Sequence, residues 1–197
     1  AWSFKDHGKG YATVFEKDHL PGFRWLHDSG PGTNLRMAGP SAAIGRIQLS
    51  RLAETRAHRT RNALTLAEIL SGSSALRVPV PPQSLTHAYY RFYAFVRPEA
   101  MADSWSRDRI LAEIAEAGLP AFSGSCSEIY KEAMFRDRGL GPDKPLPVAR
   151  QLGETSLAFL VDTTWEQERI IELAEKVVSI ADRSLAVSHK SPAKAPA

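Results

Sequence analysis

Six histidines and one cysteine are the residues most able to do chemistry in this chain, and their spacing does not bring them together. His7, His19, His27, His58, His87 and His189 include no pair at i+3 or i+4, and the single Cys126 cannot complete a zinc set with them. No metal site is expected. Gly124-Ser125-Cys126-Ser127-Glu128 lacks the second glycine of a nucleophile elbow. Cys126, with no basic neighbour in sequence, reads as a small apolar side chain rather than an activated thiol. Gly139-Leu140-Gly141-Pro142 reads as a surface turn, because it neither follows a strand nor opens a long helix. Ser29-Gly30-Pro31-Gly32-Thr33-Asn34 is different, since it stands just ahead of a long helical pattern. Small residues there let backbone N–H groups approach an anion, and Asn34 adds an amide donor. The same residues also make a tight turn with a left-handed Asn, the simpler reading. Residue types alone leave both open.

The elements that must position these residues follow from pattern. Residues 1–40 alternate turn formers (Gly8, Gly10, Pro21, Gly22, Gly30, Pro31, Gly32, Gly39, Pro40) with aromatics (Trp2, Phe4, Tyr11, Phe15, Phe23, Trp25). Packed, irregular backbone with one short helix is expected. Pro40 and Ser41 suit a helix start. Leu49, Leu52, Ala53, Ala57, Thr60, Leu64, Ala67 and Leu70 then recur mostly three or four apart, before Ser71-Gly72-Ser73-Ser74 ends the run.

Beyond it, strands are expected at 76–80, 87–96, 121–126 (strand or loop) and 157–161. Helices are expected at 107–117, 128–135, as one turn at 149–153, and from a Thr164 cap to about residue 185. The polar tail 187–197 reads as disordered. The fold class is α/β, with a small domain of alternating strands and helices.

Composition narrows the classes. The chain has 197 residues, 43% hydrophobic and 24% charged, enough for a real core. Its 25 basic and 22 acidic residues leave a net charge of +3, a weak field over this length. Arg46, Arg51, Arg56, Arg59 and Arg61 sit at mixed helical phases, so no nucleic-acid partner is expected. No apolar run is long enough for a membrane helix, and no membrane partner is expected. A lone thiol suits the reducing cytoplasm. Ala1 in place of a Met suggests processing or truncation.

One block of residues is recognisable. Gly32-Thr33-Asn34-Leu35-Arg36-Met37 is followed, four residues later, by Ala42-Ala43-Ile44-Gly45-Arg46-Ile47-Gln48-Leu49. This resembles the G-x-N-x-R-M…AA-x-G-x-x-QL signature of the DegT/DnrJ/StrS sugar aminotransferases. Ser3 to Lys9 looks like that family's segment ending in His-Gly, and Arg61-Asn62-Ala63 like part of its long helix. His87 to Val96, Arg107-Asp108 and Leu157 to Thr164 look like its small-domain elements. The similarity covers about residues 1–185. Two departures stand out. Thr33 replaces a frequent Tyr, and Ser123 to Glu128 replaces a His-Tyr-x-Pro-x-His loop.

The resemblance implies the carboxyl-terminal part of an aspartate-aminotransferase (pyridoxal-phosphate fold type I) fold. Residues 1–40 would end the large cofactor-binding domain and carry a partner-facing loop. Residues 41–71 would be a long linking helix, and 72–186 a small α/β domain. It implies a homodimer with shared active sites and pyridoxal 5′-phosphate as cofactor. The reaction would be transamination of a nucleotide-linked keto-sugar from a donor such as glutamate. Asn34 would reach the cofactor phosphate of the partner subunit, and Arg36 would support that loop or the substrate. No catalytic residue is assigned, because the family's Schiff-base lysine and pyridine-pairing aspartate lie upstream of the His-Gly segment. The chain alone is therefore expected to be inactive. A non-catalytic dimerisation or interaction module derived from the same fold is the alternative.

Overall fold

The computed structural model describes residues 1–18 and 26–186. His19, Pro21, Gly22, Phe23 and Trp25, the tail 187–197 and His189 lie outside the described residues. The chain forms two compact units, 1–52 and 53–197, which divide inside one long helix.

The first unit holds two short helices where one was expected, α1 (Trp2–Lys5) and α2 (Tyr11–Phe15). Trp2, Tyr11 and Phe15 stack edge-on or tilted, with ring centroids 4.9–5.6 Å apart. Such pairs stabilise short helices that their own hydrogen bonds could not sustain. Helix α3 (Gly39–Leu70) begins at the end of this unit.

In the second unit α3 buries Asn62, Ala63, Leu66, Ala67 and Leu70. Of the stripe expected from spacing only Ala67 and Leu70 are buried, while Leu49, Leu52 and Leu64 are exposed. Spacing marks which residues share a face, not which face meets the core.

Four strands follow, β1 (Leu76–Arg77), β2 (Phe92–Val96), β3 (Ala121–Phe122) and β4 (Ser156–Phe159). They form one antiparallel sheet in the order β1-β2-β4-β3, with Phe92 opposite Phe159 and Ala94 opposite Leu157. The strands are shorter than expected, for two local reasons. Pro79, Pro81 and Pro82 carry no N–H to extend β1. Tyr89 takes φ +46°, which breaks extended backbone before β2.

Helix α4 (Arg107–Glu116) is capped at both ends: Ser106 Oγ accepts from Arg109 N (3.1 Å). Gly118 (φ +73°) closes its other end, with Gly118 N donating to Ala115 O and Leu119 N to Ile114 O. These two bonds are a Schellman motif. The stretch 128–135 is not one helix but a 3-10 turn (Ile129–Lys131) followed by α5 (Ala133–Arg136). Helix α6 spans Pro147–Thr155, longer than the single turn expected.

Helix α7 spans Gln167–Arg183 and buries Ile170, Leu173, Ala174, Val177, Ile180 and Ala181, one continuous apolar face. Thr164 does not cap it. Its N–H and hydroxyl both donate to Asp162 Oδ1 at 2.8 Å, and the cap position is Glu166. The core of this unit joins α4, α7, the end of α3 and the buried residues of β2 and β4. No helix among the described residues is long and apolar enough to cross a membrane.

Candidate functional site

The glycine loop of the first unit is tied to the segment after α1. His7 N donates to Thr33 O and Leu35 N to Lys5 O, both at 3.2 Å. Between these bonds Asp6 and Asn34 form a two-residue antiparallel bridge. Bonds on either side make them a non-hydrogen-bonded pair, whose side chains lie close on one face. Arg36, two residues on, shares that face, and its Nη2 pairs with Asp6 Oδ1.

Two close approaches hold the loop. Lys9 N donates to Asp6 O (3.2 Å) across His7 (φ +61°) and Gly8 (φ +81°). Two successive positive φ values with that bond are the mark of a type I′ turn. A Cβ on Gly32 would fall 2.2 Å from Gly8 N and 2.7 Å from His7 C. Only glycine allows the two segments to meet there.

Asp6 is the residue that sequence reasoning missed. Burial pushes its carboxyl up, but Arg36, then Lys9 and Lys5, outweigh that and hold it below the usual carboxylate range. No local signal marks it, because its partner is thirty positions away in sequence.

Asn34 itself is exposed. Its Oδ1 accepts from Arg36 N (3.1 Å), which fixes the side chain as an Asx turn. Its Nδ2 donates to no group among the described residues. The oriented amide therefore presents two N–H donors outward, the chemistry a phosphate oxygen accepts. The surrounding backbone contributes less than expected. Thr33 N donates to Phe4 O (2.8 Å), and Leu35 N and Arg36 N are also committed. Arg36 is ion-paired with Asp6, so it suits holding the loop better than capturing an anion alone.

In the second unit, Arg107 organises the 123–128 loop. It is mostly buried, and its Nη1 donates to Gly153 O (3.0 Å) and Ser156 O (3.1 Å), with Ser123 O at 3.5 Å. Its Nε bonds Asp108 Oδ1 at 2.6 Å. Further along, Tyr130 Oη donates to Glu128 Oε1 (2.5 Å) and accepts from Leu146 N (3.2 Å). Lys131 Nζ donates to Glu128 Oε2 (2.8 Å). The bonds from Lys131 and Tyr130 depress the Glu128 carboxyl, and the bond to Glu128 raises the Lys131 ammonium. Cys126 is exposed, with Glu132 Oε1 3.7 Å from its sulfur. Asn62 is buried, and its Nδ2 donates to Asp162 O (3.1 Å) and Trp165 O (3.3 Å).

Comparison with known proteins identifies the fold and the family. A crystal structure of an aminotransferase from Psychrobacter cryohalolentis is 46% identical, with a TM-score of 0.80; the match covers 90% of this chain and 47% of that one. An aminotransferase of Helicobacter pylori involved in pseudoaminic acid biosynthesis shares the fold at 18% identity, with a TM-score of 0.72, over 92% of this chain and 45% of that one. A curated relative, 3-amino-5-hydroxybenzoate synthase of Amycolatopsis mediterranei (strain S699), is 27% identical over 73% of this chain and 36% of its own length. The chain thus spans less than half the length of each. The family model of the DegT/DnrJ/EryC1/StrS aminotransferases matches residues 2–178, so the chain belongs to that family.

Proposed function

We propose that this chain is the carboxyl-terminal part of a pyridoxal-phosphate-dependent aminotransferase acting on a nucleotide-linked keto-sugar, with an amino acid such as glutamate as donor. The parent works as a cytoplasmic homodimer with shared active sites. Residues 1–40 close the cofactor-binding domain, 41–71 link, and 72–186 form the small domain. The observation that carries the reading is Asn34: its side chain is exposed, oriented by Arg36 N and has its amide donors uncommitted among the described residues.

These residues fit the phosphate end of the cofactor. Asn34 Nδ2 holds a phosphate oxygen of the partner's cofactor. Arg36, anchored by Asp6, keeps Asn34 in register and adds positive potential. When bound, the cofactor supplies the electron sink for breaking bonds at the amine-bearing carbon. The chain's own contribution is binding and orientation. A hydrogen bond to a charged group contributes about 1.5–3 kcal/mol.

Asn34→Ala in the full-length parent tests the role. Pyridoxal-phosphate affinity, followed by equilibrium dialysis, should fall about 10- to 100-fold. Unchanged affinity and unchanged transamination would remove Asn34 from the site. The acceptor is read out by mass-resolved amination of a panel of nucleotide keto-sugars.

A further inference from the structure

Arg59 stands one turn before Asn62 on α3. It is half-buried, and its Nε is enclosed with no hydrogen-bond partner among the described residues. A buried donor without an acceptor is rare enough in folded proteins to need an explanation. The segment entering β2 is unusual too. Tyr89 is held in its left-handed conformation with its ring buried and its N–H on His87 Nδ1 (3.0 Å). Bulky residues seldom adopt that backbone, and it sets the direction in which the next two residues, Tyr90 and Arg91, leave the chain.

Beyond it, Tyr90 is 78% exposed. The Arg91 guanidinium lies over the Phe122 ring at 4.6 Å and 5.8 Å from the Tyr90 ring. Arg59, Tyr90, Arg91, Leu160, Val161 and Asp162 together line a cavity of about 210 Å³.

The charges in this cavity are two guanidiniums and one carboxylate. Asp162 is already engaged by Thr164 N and Oγ1, and forms no ion pair with Arg59 or Arg91 among the described residues. The lining therefore keeps one net positive charge. A planar guanidinium matches a planar carboxylate through paired donors. A doubly charged phosphate would bring more negative charge up to Asp162, an unfavourable like-charge contact. Tyr90 and Leu160 offer apolar surface for an organic body.

We propose that this cavity is a subsite for the carboxylate of a small organic monoacid, held by Arg59 and Arg91 with its apolar part against Tyr90. The site stands independently of the cofactor reading.

Calorimetric titration of the 197-residue chain with benzoate in low-chloride buffer tests it. Saturable one-to-one binding is expected. Arg91→Gln should weaken it at least about 10-fold, and Arg59→Lys, which keeps the charge but removes the fork, about 3- to 10-fold. Arg97→Gln, on another part of the sheet, should leave it unchanged. Inorganic phosphate should bind more weakly than benzoate. No saturable binding, equal binding by both variants, or tighter phosphate would overturn the proposal. If either variant fails to fold, the wild-type chain still decides. Benzoate should shield Arg91 from phenylglyoxal in mapped peptides, and absence of shielding overturns the assignment. Benzoate should leave sedimentation unchanged. Benzoate-driven dissociation of an oligomer would mean that a carboxylate from a second copy fills the cavity, which also overturns it.

Discussion

At the residue scale, single side chains set the geometry of both candidate regions. Asp6 holds Arg36 on the face it shares with Asn34, and its carboxyl titrates below the ordinary range. A carboxylate whose folded pKa is depressed stabilises the fold above its unfolded pKa, about 3.9, and loses that contribution as pH falls through the folded value. Hydrogen exchange at the His7 and Leu35 amides should therefore accelerate as pH drops below about 4, after correction for the intrinsic rate. Asp6→Asn should show faster exchange already at neutral pH and no such acid step; an unchanged acid step would assign it to another carboxylate. Arg107 plays the matching part in the second unit, with one nitrogen spanning carbonyls on either side of the α6–β4 junction. Arg107→Ala should cost about 1.5–3 kcal/mol in denaturant unfolding, the range for hydrogen bonds to a charged group. Arg107→Lys should not restore it, because an ammonium lacks the planar fork.

At the element scale, close backbone contact rather than burial fixes the candidate loop. Gly32 sits against Gly8 N and His7 C with no space for a Cβ. Gly32→Ala should separate the loop from the 6–9 turn and cost about 1–3 kcal/mol, as overpacking does. In the full-length parent the same change should lower pyridoxal-phosphate affinity as Asn34→Ala does, because it moves Asn34 without removing it. A variant with native affinity would show that the register with Asp6 is not needed. Helix α4 shows the opposite situation, an element written almost entirely in local sequence. Ser106 and Gly118 mark its ends, and Ile110 and Ile114 its buried face. Helix α7 is equally plain in its apolar spacing, yet its start moved from Thr164 to Glu166 because Asp162 captures the threonine.

At the scale of the whole chain, the role proposed for residues 1–197 is binding and orientation rather than bond-breaking. On the proposed reading none of these residues is the Schiff-base lysine. The 197-residue chain mixed with pyridoxal phosphate should show no transamination, and borohydride should trap no specific lysine. A single mapped, trapped lysine with turnover would contradict this. Phe4, Phe15, Leu35, Met37, Ile44 and Ile47 of the first unit and the helix start are exposed apolar side chains, the kind of surface that the proposed reading has other protein cover.

Periodicity and punctuation by themselves determined where the long helix ends, the helix at 107, the apolar face of the last helix though not its start, and the order of strands and helices after residue 70. Asn34 and Arg36 were singled out by the family resemblance of the Gly-x-Asn-x-Arg-Met block, a local pattern, and not by residue chemistry, which left a plain turn equally open. Tertiary structure alone decided which face of α3 is buried, how short β1 and β2 are, and that Asp6 stands beside Arg36. It also decided that Arg59 and Arg91 border one cavity. The physical reason is range. Caps, turns and amphipathic spacing act over a few residues, whereas partners thirty or more positions apart meet only when the backbone has folded back on itself.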